Sequence, residues 1–345
     1  MSNRPLGSND LGAKGESRFR EICADAGLVC NQSNRDMTGW DFLVEFPFEK
    51  HTKTTLDKRP TPISCHFQIK TMWSDRSSFK MRLSSAERLA KELKPAFVLV
   101  FKINKQKEFI EAYLIHVLDK YLYKILERLR LEHSQKTGTS INKKLISFTA
   151  GQVGTRIELN GESLRDAVIQ ACGPDQHLYA KRKKEQLEEL GFGAQPFEMQ
   201  ATLHAGSRES LIDVFLGRKS VRVSNVKGFE SRFDIKLPLP EFIGSGTMTI
   251  TPNSIETCTI DLVEQPLTRP VRFFGEIFVV PELISGKEPL FVIKNNIFEL
   301  RYSRLAGMKL FIDGAVLSSA LLTPTEWHNF LLLSLSLSKG RQSSD

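Results

Sequence analysis

The chain has 345 residues, 41% hydrophobic and 26% charged, a globular composition with room for two domains. Its longest apolar clusters, such as Phe97–Phe101 and Phe330–Leu333, are far too short to span a bilayer, and no apolar leader follows Met1, so a cytoplasmic protein without membrane association is expected. Five cysteines without a CxxC pair argue against a disulfide framework and against a structural zinc site, and 48 Lys and Arg against 40 Asp and Glu leave a net charge of +8.

That charge is uneven. Residues 1–150 carry 26 Lys and Arg against 17 Asp and Glu, whereas residues 196–345 carry 16 of each. A basic first part suggests a surface facing a polyanion; the plainer reading is lysine solvating an ordinary surface.

In chain order, Gly15–Ala26 predicts a helix with Phe19, Ile22, Cys23 and Ala26 on one stripe, ended by Gly27. Trp40–Phe46 alternates, with Trp40, Phe42, Val44 and Phe46 on one face and Asp41, Leu43 and Glu45 on the other. Pro47–Pro62 reads as a polar loop. Ile63–Thr71 is a second alternating strand: Ile63, Cys65, Phe67 and Ile69 share one face, Ser64, His66, Gln68 and Lys70 the other. Ser84 and Glu87 fit a capping box ahead of a helix that Pro95 stops. Ala96–Ile103 predicts a buried strand, Phe109–Val117 another, and Leu118–Glu132 a helix. The order implies an α/β core with a mixed sheet over residues 1–150.

Residues 151–195 read as a helical connector, interrupted at Cys172-Gly173-Pro174. Its run Lys181-Arg182-Lys183-Lys184, followed by Glu185, Glu188 and Glu189, supports i,i+4 pairs and so a solvated helix. From residue 196 the texture is short strands: 221–226, 247–251, 257–263, 271–280, 290–293, 297–302 and 308–312. Thr323-Pro324-Thr325-Glu326 opens a final helix with proline at its first position. The expectation is a β-rich C-terminal domain over 196–345, sandwich-like or a strongly bent sheet, and an α+β chain overall.

The chemistry-bearing constellation is Asp41 on the first strand with Gln68-Ile69-Lys70 on the second. Polar groups on otherwise buried strands must meet each other, solvent or an ion. Oxygen ligands for a hard cation beside an ammonium are what phosphodiester hydrolysis needs. Glu16, one turn before Phe19, stands at the edge of the buried helix stripe and can look into the same place.

These residues resemble the PD-(D/E)xK, restriction-endonuclease-like nuclease superfamily over roughly residues 10–150. The resemblance rests on Glu16, on Gly39-Trp40-Asp41-Phe42-Leu43-Val44, on Phe67-Gln68-Ile69-Lys70-Thr71, and on the helix and strand that follow. It is nearest to QxK variants of Mrr-like and prokaryotic defence-associated nucleases, with Asp36 fitting an acidic pair before Asp41. The resemblance implies a DNA endonuclease with Mg²⁺ (or Mn²⁺) held by Asp41, Gln68, the Ile69 carbonyl and Glu16, while Lys70 orients the attacking water. It also implies a defence context, with a separate sensor or NTPase chain as a partner; a homo-oligomer is expected because one active site cuts one strand and a duplex break needs two. Two departures stand out: Gln68 replaces the acidic residue of the second motif, and no proline precedes Asp41. A neutral Gln68 leaves open an inactive nucleic-acid binder on the same fold, and RNA is an alternative substrate.

Of the remaining candidates, His66 either touches the site or is satisfied by solvent at a strand end. Glu45 is either a supporting carboxylate or an edge charge. Trp73 and Lys80 are candidates to approach DNA, with the core as the alternative for Trp73. No phosphate-binding loop, HExxH or nucleophile elbow occurs. Arg218, Lys219 and Arg222 read as a solvated basic loop, and the C-terminal domain as a self-association or docking module.

Overall fold

The computed structural model describes residues 6–33, 39–48, 55–135, 138–173, 175–262, 271–285, 290–304, 307–312 and 314–340. Its chain divides into two units, Met1–Glu198 with Phe229–Pro238, and Met199–Gly228 with Leu239–Asp345. Both mix helices with sheets, so the fold is α+β, with a mixed sheet at the heart of the first unit.

The first unit runs α1 (Ser8–Asp25), β1 (Val29–Gln32), β2 (Phe42–Glu45), β3 (Ser64–Trp73), β4 (Ser78–Arg82), α2 (Leu83–Lys91), β5 (Ala96–Ile103), β6 (Phe109–His116), α3 (Asp119–Gln135), β7 (Leu145–Thr149), α4 (Ala150–Val153), β8 (Thr155–Ile157), α5 (Gly161–Cys172) and α6 (Gln176–Glu189). Six strands form one sheet in the order β1-β2-β3-β5-β6-β8, and β4 pairs with β7 apart from it. Only the β3–β5 pairing is parallel, because α2 carries the chain back between them.

Strand β5 shows why the sheet is covered on both sides. Phe97, Leu99 and Phe101 enter one core with Phe19, Ile22, Phe42, Phe67 and Leu164. Ala96, Val98 and Val100 enter the other with Leu83, Leu89, Tyr121, Leu122 and Phe148. Period-2 side-chain alternation in a near-continuous apolar strand therefore supplies two cores at once.

Three details differ from the sequence expectation. Helix α2 starts at Leu83 directly off β4, with Arg82 at its cap position and no side-chain cap, because buried Leu83 donates its N–H to the Lys144 carbonyl at 2.9 Å. Trp40 precedes β2, escapes its alternation, and packs with the α2 side rather than with Phe42. Residues 151–195 are no free connector: Leu164, Val168 and Cys172 of α5 bury in one core and Tyr179 of α6 in the other, so the division falls after residue 198 and not at 150 and 195.

The chain continues with β9 (Phe192–His204), α7 (Arg208–Phe215), β10 (Val221–Arg232) and β11 (Ile235–Met248), whose strands form a sheet in the order β11-β10-β9. The tip Phe229–Pro238 belongs to the first unit because Arg130 of α3 grips it, donating to the Ile235 carbonyl at 3.0 Å and to the Glu230 carboxylate at 2.6 Å. Then come β12 (Glu256–Leu262), β13 (Val271–Val280), α8 (Glu282–Ser285), β14 (Leu290–Lys294), β15 (Glu299–Ser303), β16 (Gly307–Phe311), α9 (Gly314–Ser319) and α10 (Pro324–Gly340).

Strands β12 to β16 form an antiparallel meander, and helices rather than a second sheet cover it. Phe330 and Leu333 of α10 pack with Phe273 and Phe298, while Leu216, just after α7, packs with Phe278 and Val292. The helix opened at Thr323 is closed by a capping box: the Thr323 N–H donates to Glu326 Oε2 at 2.7 Å and the Glu326 N–H to Thr323 Oγ1 at 3.3 Å. Arg218 is not a solvated loop cation, since it pairs with Asp213 at 2.8 Å and with Glu299, and Arg301 joins the same carboxylates. No helix among the described residues is long and apolar enough to cross a membrane.

Candidate active site

Strand β2 pairs only with Ser64–Phe67 of β3, whereas β5 pairs with His66–Trp73. Beyond Phe67 the two neighbours part, and one edge of β3 opens. The His66 N–H donates to the Pro95 carbonyl on the β5 side, so by strand alternation Ile69 presents its N–H and carbonyl to the open edge. Asp41 sits at this divergence. Its own N–H donates to the Phe67 carbonyl at 2.8 Å, which aims the side chain along β3.

There the Asp41 Oδ2 accepts two hydrogen bonds, from the Ile69 N–H at 2.7 Å and from the Gln68 Nε2 at 2.6 Å. Gln68 is buried, and an amide that donates to the carboxylate turns its oxygen the other way. Lys70 follows Gln68 on the same face and is half-buried. The structure thus brings together Asp41, Gln68 and the Ile69 backbone and sets Lys70 next in the row.

Gly39 starts the turn that delivers Asp41. Its φ of +81° belongs to the left-handed region, and a β-carbon there would stand 2.9 Å from Arg88 and 3.1 Å from the Ser85 carbonyl of α2. Gly15 sets α1 in a similar way, because a β-carbon there would meet Thr71 Oγ1 at 1.9 Å. Helix α1 therefore crosses β3 at Ile69 and Thr71, and Glu16 is the next residue along it. The Glu16 Oε2 accepts from Gln32 Nε2 at 3.2 Å, and the N–H of the next residue, Ser33, donates to the Asp41 carbonyl at 2.8 Å. Glu16 is tied to the strand end that holds Asp41.

The supporting candidates separate. Glu45 pairs with Ser64 at the far end of β2 and accepts from Asn31 at 3.3 Å. Asp36 lies outside the described residues. His66 is buried rather than solvated: its ring stacks on Trp40 at 4.7 Å, with Nδ1 3.9 Å from Glu92 and without a hydrogen-bond partner. Burial pushes its pKa down, against the pull of the Glu92 carboxylate. Trp73 is half-buried and Lys80 exposed.

A second group of polar residues lies behind His66. Lys183 of α6 is fully buried and donates its Nζ to the Leu89 carbonyl near the end of α2 at 3.1 Å. Burial pushes its pKa down to about 8, with Glu92 opposing. His116 Nε2 and Tyr179 Oη hydrogen-bond at 2.7 Å, and burial pushes His116 down to about 4. The surface pairs Lys181–Glu185 and Lys184–Glu188 do form, but Lys183 points inward. The signal was present, since Tyr179, Lys183 and Leu187 recur at i,i+4,i+8 beside a strongly charged run.

Among the described residues no group of three or more His, Cys, Asp or Glu side chains is placed to hold a metal ion. The donors at the open edge are a carboxylate, a carbonyl and an amide. They are oxygen-bearing groups of the kind Mg²⁺ takes when water and substrate phosphate complete its shell. Compared with protein-family models, with curated proteins and with solved structures, this chain matches none of them.

Proposed function

We propose that the first unit is a divalent-metal-dependent DNA endonuclease, the nuclease component of a prokaryotic defence system. The carrying observation is the Asp41 carboxylate on the open edge of β3, bonded to Gln68 and to the Ile69 N–H, with Lys70 next in the same row. Asp41, the Ile69 carbonyl, Gln68 after its amide turns, and Glu16 are the residues that would hold Mg²⁺ or Mn²⁺. Such an ion, when bound, offsets charge on the scissile phosphate. Lys70 orients water and stabilises charge developing on phosphate oxygens. The excess of Lys and Arg over residues 1–150 supplies sequence-independent affinity for the DNA backbone.

The second reading is a binder without turnover. It is favoured by the Gln68–Asp41 hydrogen bond, through which a neutral amide satisfies the carboxylate with no ion present. Incubating the protein with supercoiled plasmid, with Mg²⁺ or with EDTA, separates the two. The nuclease reading expects nicked or linear product with Mg²⁺ alone, the binder reading a salt-sensitive complex and intact DNA in both. Single-stranded DNA and RNA run in parallel decide the polymer.

For the second unit we propose self-association, because one active site cuts one strand and a duplex break needs two. Two exposed apolar features support it. Val279, Phe291, Tyr302 and Met308 stand in register across β13 to β16, each between 38% and 64% exposed. Trp327, Leu331 and Leu335 form an exposed stripe on α10, beside its buried Phe330 and Leu333. A separate sensor or NTPase chain remains part of the proposal, since no phosphate-binding loop is encoded.

A further inference from the structure

Two cysteines outside the candidate site form a pair. Cys23 lies on the inward stripe of α1 and is fully buried; Cys30 lies on β1 opposite Val44 and is partly exposed. The connection Ala26-Gly27-Leu28 turns the chain sharply, with Gly27 at φ +67° and the Leu28 N–H donating to the Cys23 carbonyl at 2.9 Å. That turn puts both side chains against one core, with Cys23 buried inside it and Cys30 packed against it.

Their surroundings give them different roles. The neighbouring Cys23 thiol and the nearby Arg20 guanidinium hold the Cys30 thiol below its ordinary pKa, against the opposing effect of burial. The neighbouring Cys30, with burial, pushes the Cys23 thiol up. A partly exposed, cation-flanked thiolate is the reactive kind of cysteine, and a buried neighbour within reach is the resolving kind. Cys65 and Cys172 lack this environment: both are buried, burial pushes both thiols up, and Cys65 Sγ donates to the Val44 carbonyl at 3.8 Å.

We propose that Cys23 and Cys30 are a reversible redox dithiol that a hydroperoxide closes to a disulfide. The Cys30 thiolate attacks the peroxide O–O bond, giving a sulfenic acid, while the leaving oxygen departs as water after taking up a proton. The Cys23 thiol, losing its proton, then attacks the sulfenic sulfur, forming the S–S bond and releasing a second water. Two thiols and one hydrogen peroxide give one disulfide and two waters. The bond would tie α1, which carries Glu16, to β1, whose Gln32 holds that carboxylate. The inference does not rest on the nuclease reading.

The test uses the full chain, reduced, exposed to hydrogen peroxide, alkylated after denaturation and digested with trypsin. Glu21–Arg35 is one tryptic peptide holding both cysteines and no internal Lys or Arg. The expected peptide carries no alkyl group, is two hydrogens lighter than the dithiol form, and returns to double alkylation after treatment with a thiol reductant. In Cys30→Ser, Cys23 stays reduced and is alkylated; in Cys23→Ala, Cys30 is trapped as a sulfenic acid by dimedone. A wild-type peptide that stays doubly alkylated at every peroxide concentration that leaves the fold intact overturns the proposal. So does Cys30 joined to any cysteine other than Cys23.

Discussion

Asp41 serves two readings at once: it caps an open strand edge, and it is the carboxylate a phosphodiesterase needs at that position. Gln68 decides how the two balance, and replacing it exposes the difference. In Gln68→Glu a second carboxylate would face Asp41 Oδ2, where the amide now donates at 2.6 Å. Like charges this close repel, so the variant should unfold at lower temperature without divalent metal and regain stability with Mg²⁺. A melting temperature equally indifferent to Mg²⁺ in wild type and variant would count against the oxygen-ligand assignment. His116 makes a separate prediction. The unfolded chain takes up its proton near pH 6.5, the folded chain only near 4, so stability falls as pH drops through that interval. Denaturant midpoints measured from pH 7 to 4 should fall less steeply in His116→Gln than in the wild type; parallel curves would contradict the buried, neutral imidazole.

The strands that carry the site could be read from sequence because both faces of each had a role. Ala96–Ile103 matched residue for residue, since an apolar run that starts directly after Pro95 has one reading. The pairing of Asp41 with Gln68 followed from alternation on two neighbouring strands. What could not be read was anything set by a tertiary neighbour. The inward turn of Lys183 depends on the Leu89 carbonyl of a distant helix. Buried His66 depends on Trp40, which lies outside β2 although its sequence continues the alternation of that strand. The capping box formed at Thr323, where nothing competed, and failed at Ser84, where β4 fed straight into α2. Gly15 shows an element placed by a missing side chain. Gly15→Ala must push α1 off Thr71 Oγ1, now too close for a methyl group, and should cost about 1–3 kcal/mol by denaturant unfolding. A loss below about 0.5 kcal/mol would mean that α1 is not held against β3 in this way.

The basic bias of residues 1–150 and the balance of residues 196–345 were plain in the sequence, and the two units broadly follow them. The boundary itself was hidden, because α5 and α6 reveal their allegiance only through the cores they complete. If the exposed stripe of α10 joins two copies, Leu331→Lys should lower the mass measured in solution to that of the monomer. Unchanged mass from a dimeric wild type would place the contact elsewhere. The central claim is that Asp41, Gln68 and Lys70 form a hydrolytic site and not merely a strand edge. Its most direct test measures DNA binding and plasmid cleavage together, with Mg²⁺, for wild type and Lys70→Ala. The variant should bind plasmid within about twofold of wild type, because one of many phosphate contacts is lost, while its cleavage falls by about 10²-fold or more. Equal cleavage by both proteins, or none by the wild type with Mg²⁺ or Mn²⁺, would contradict it.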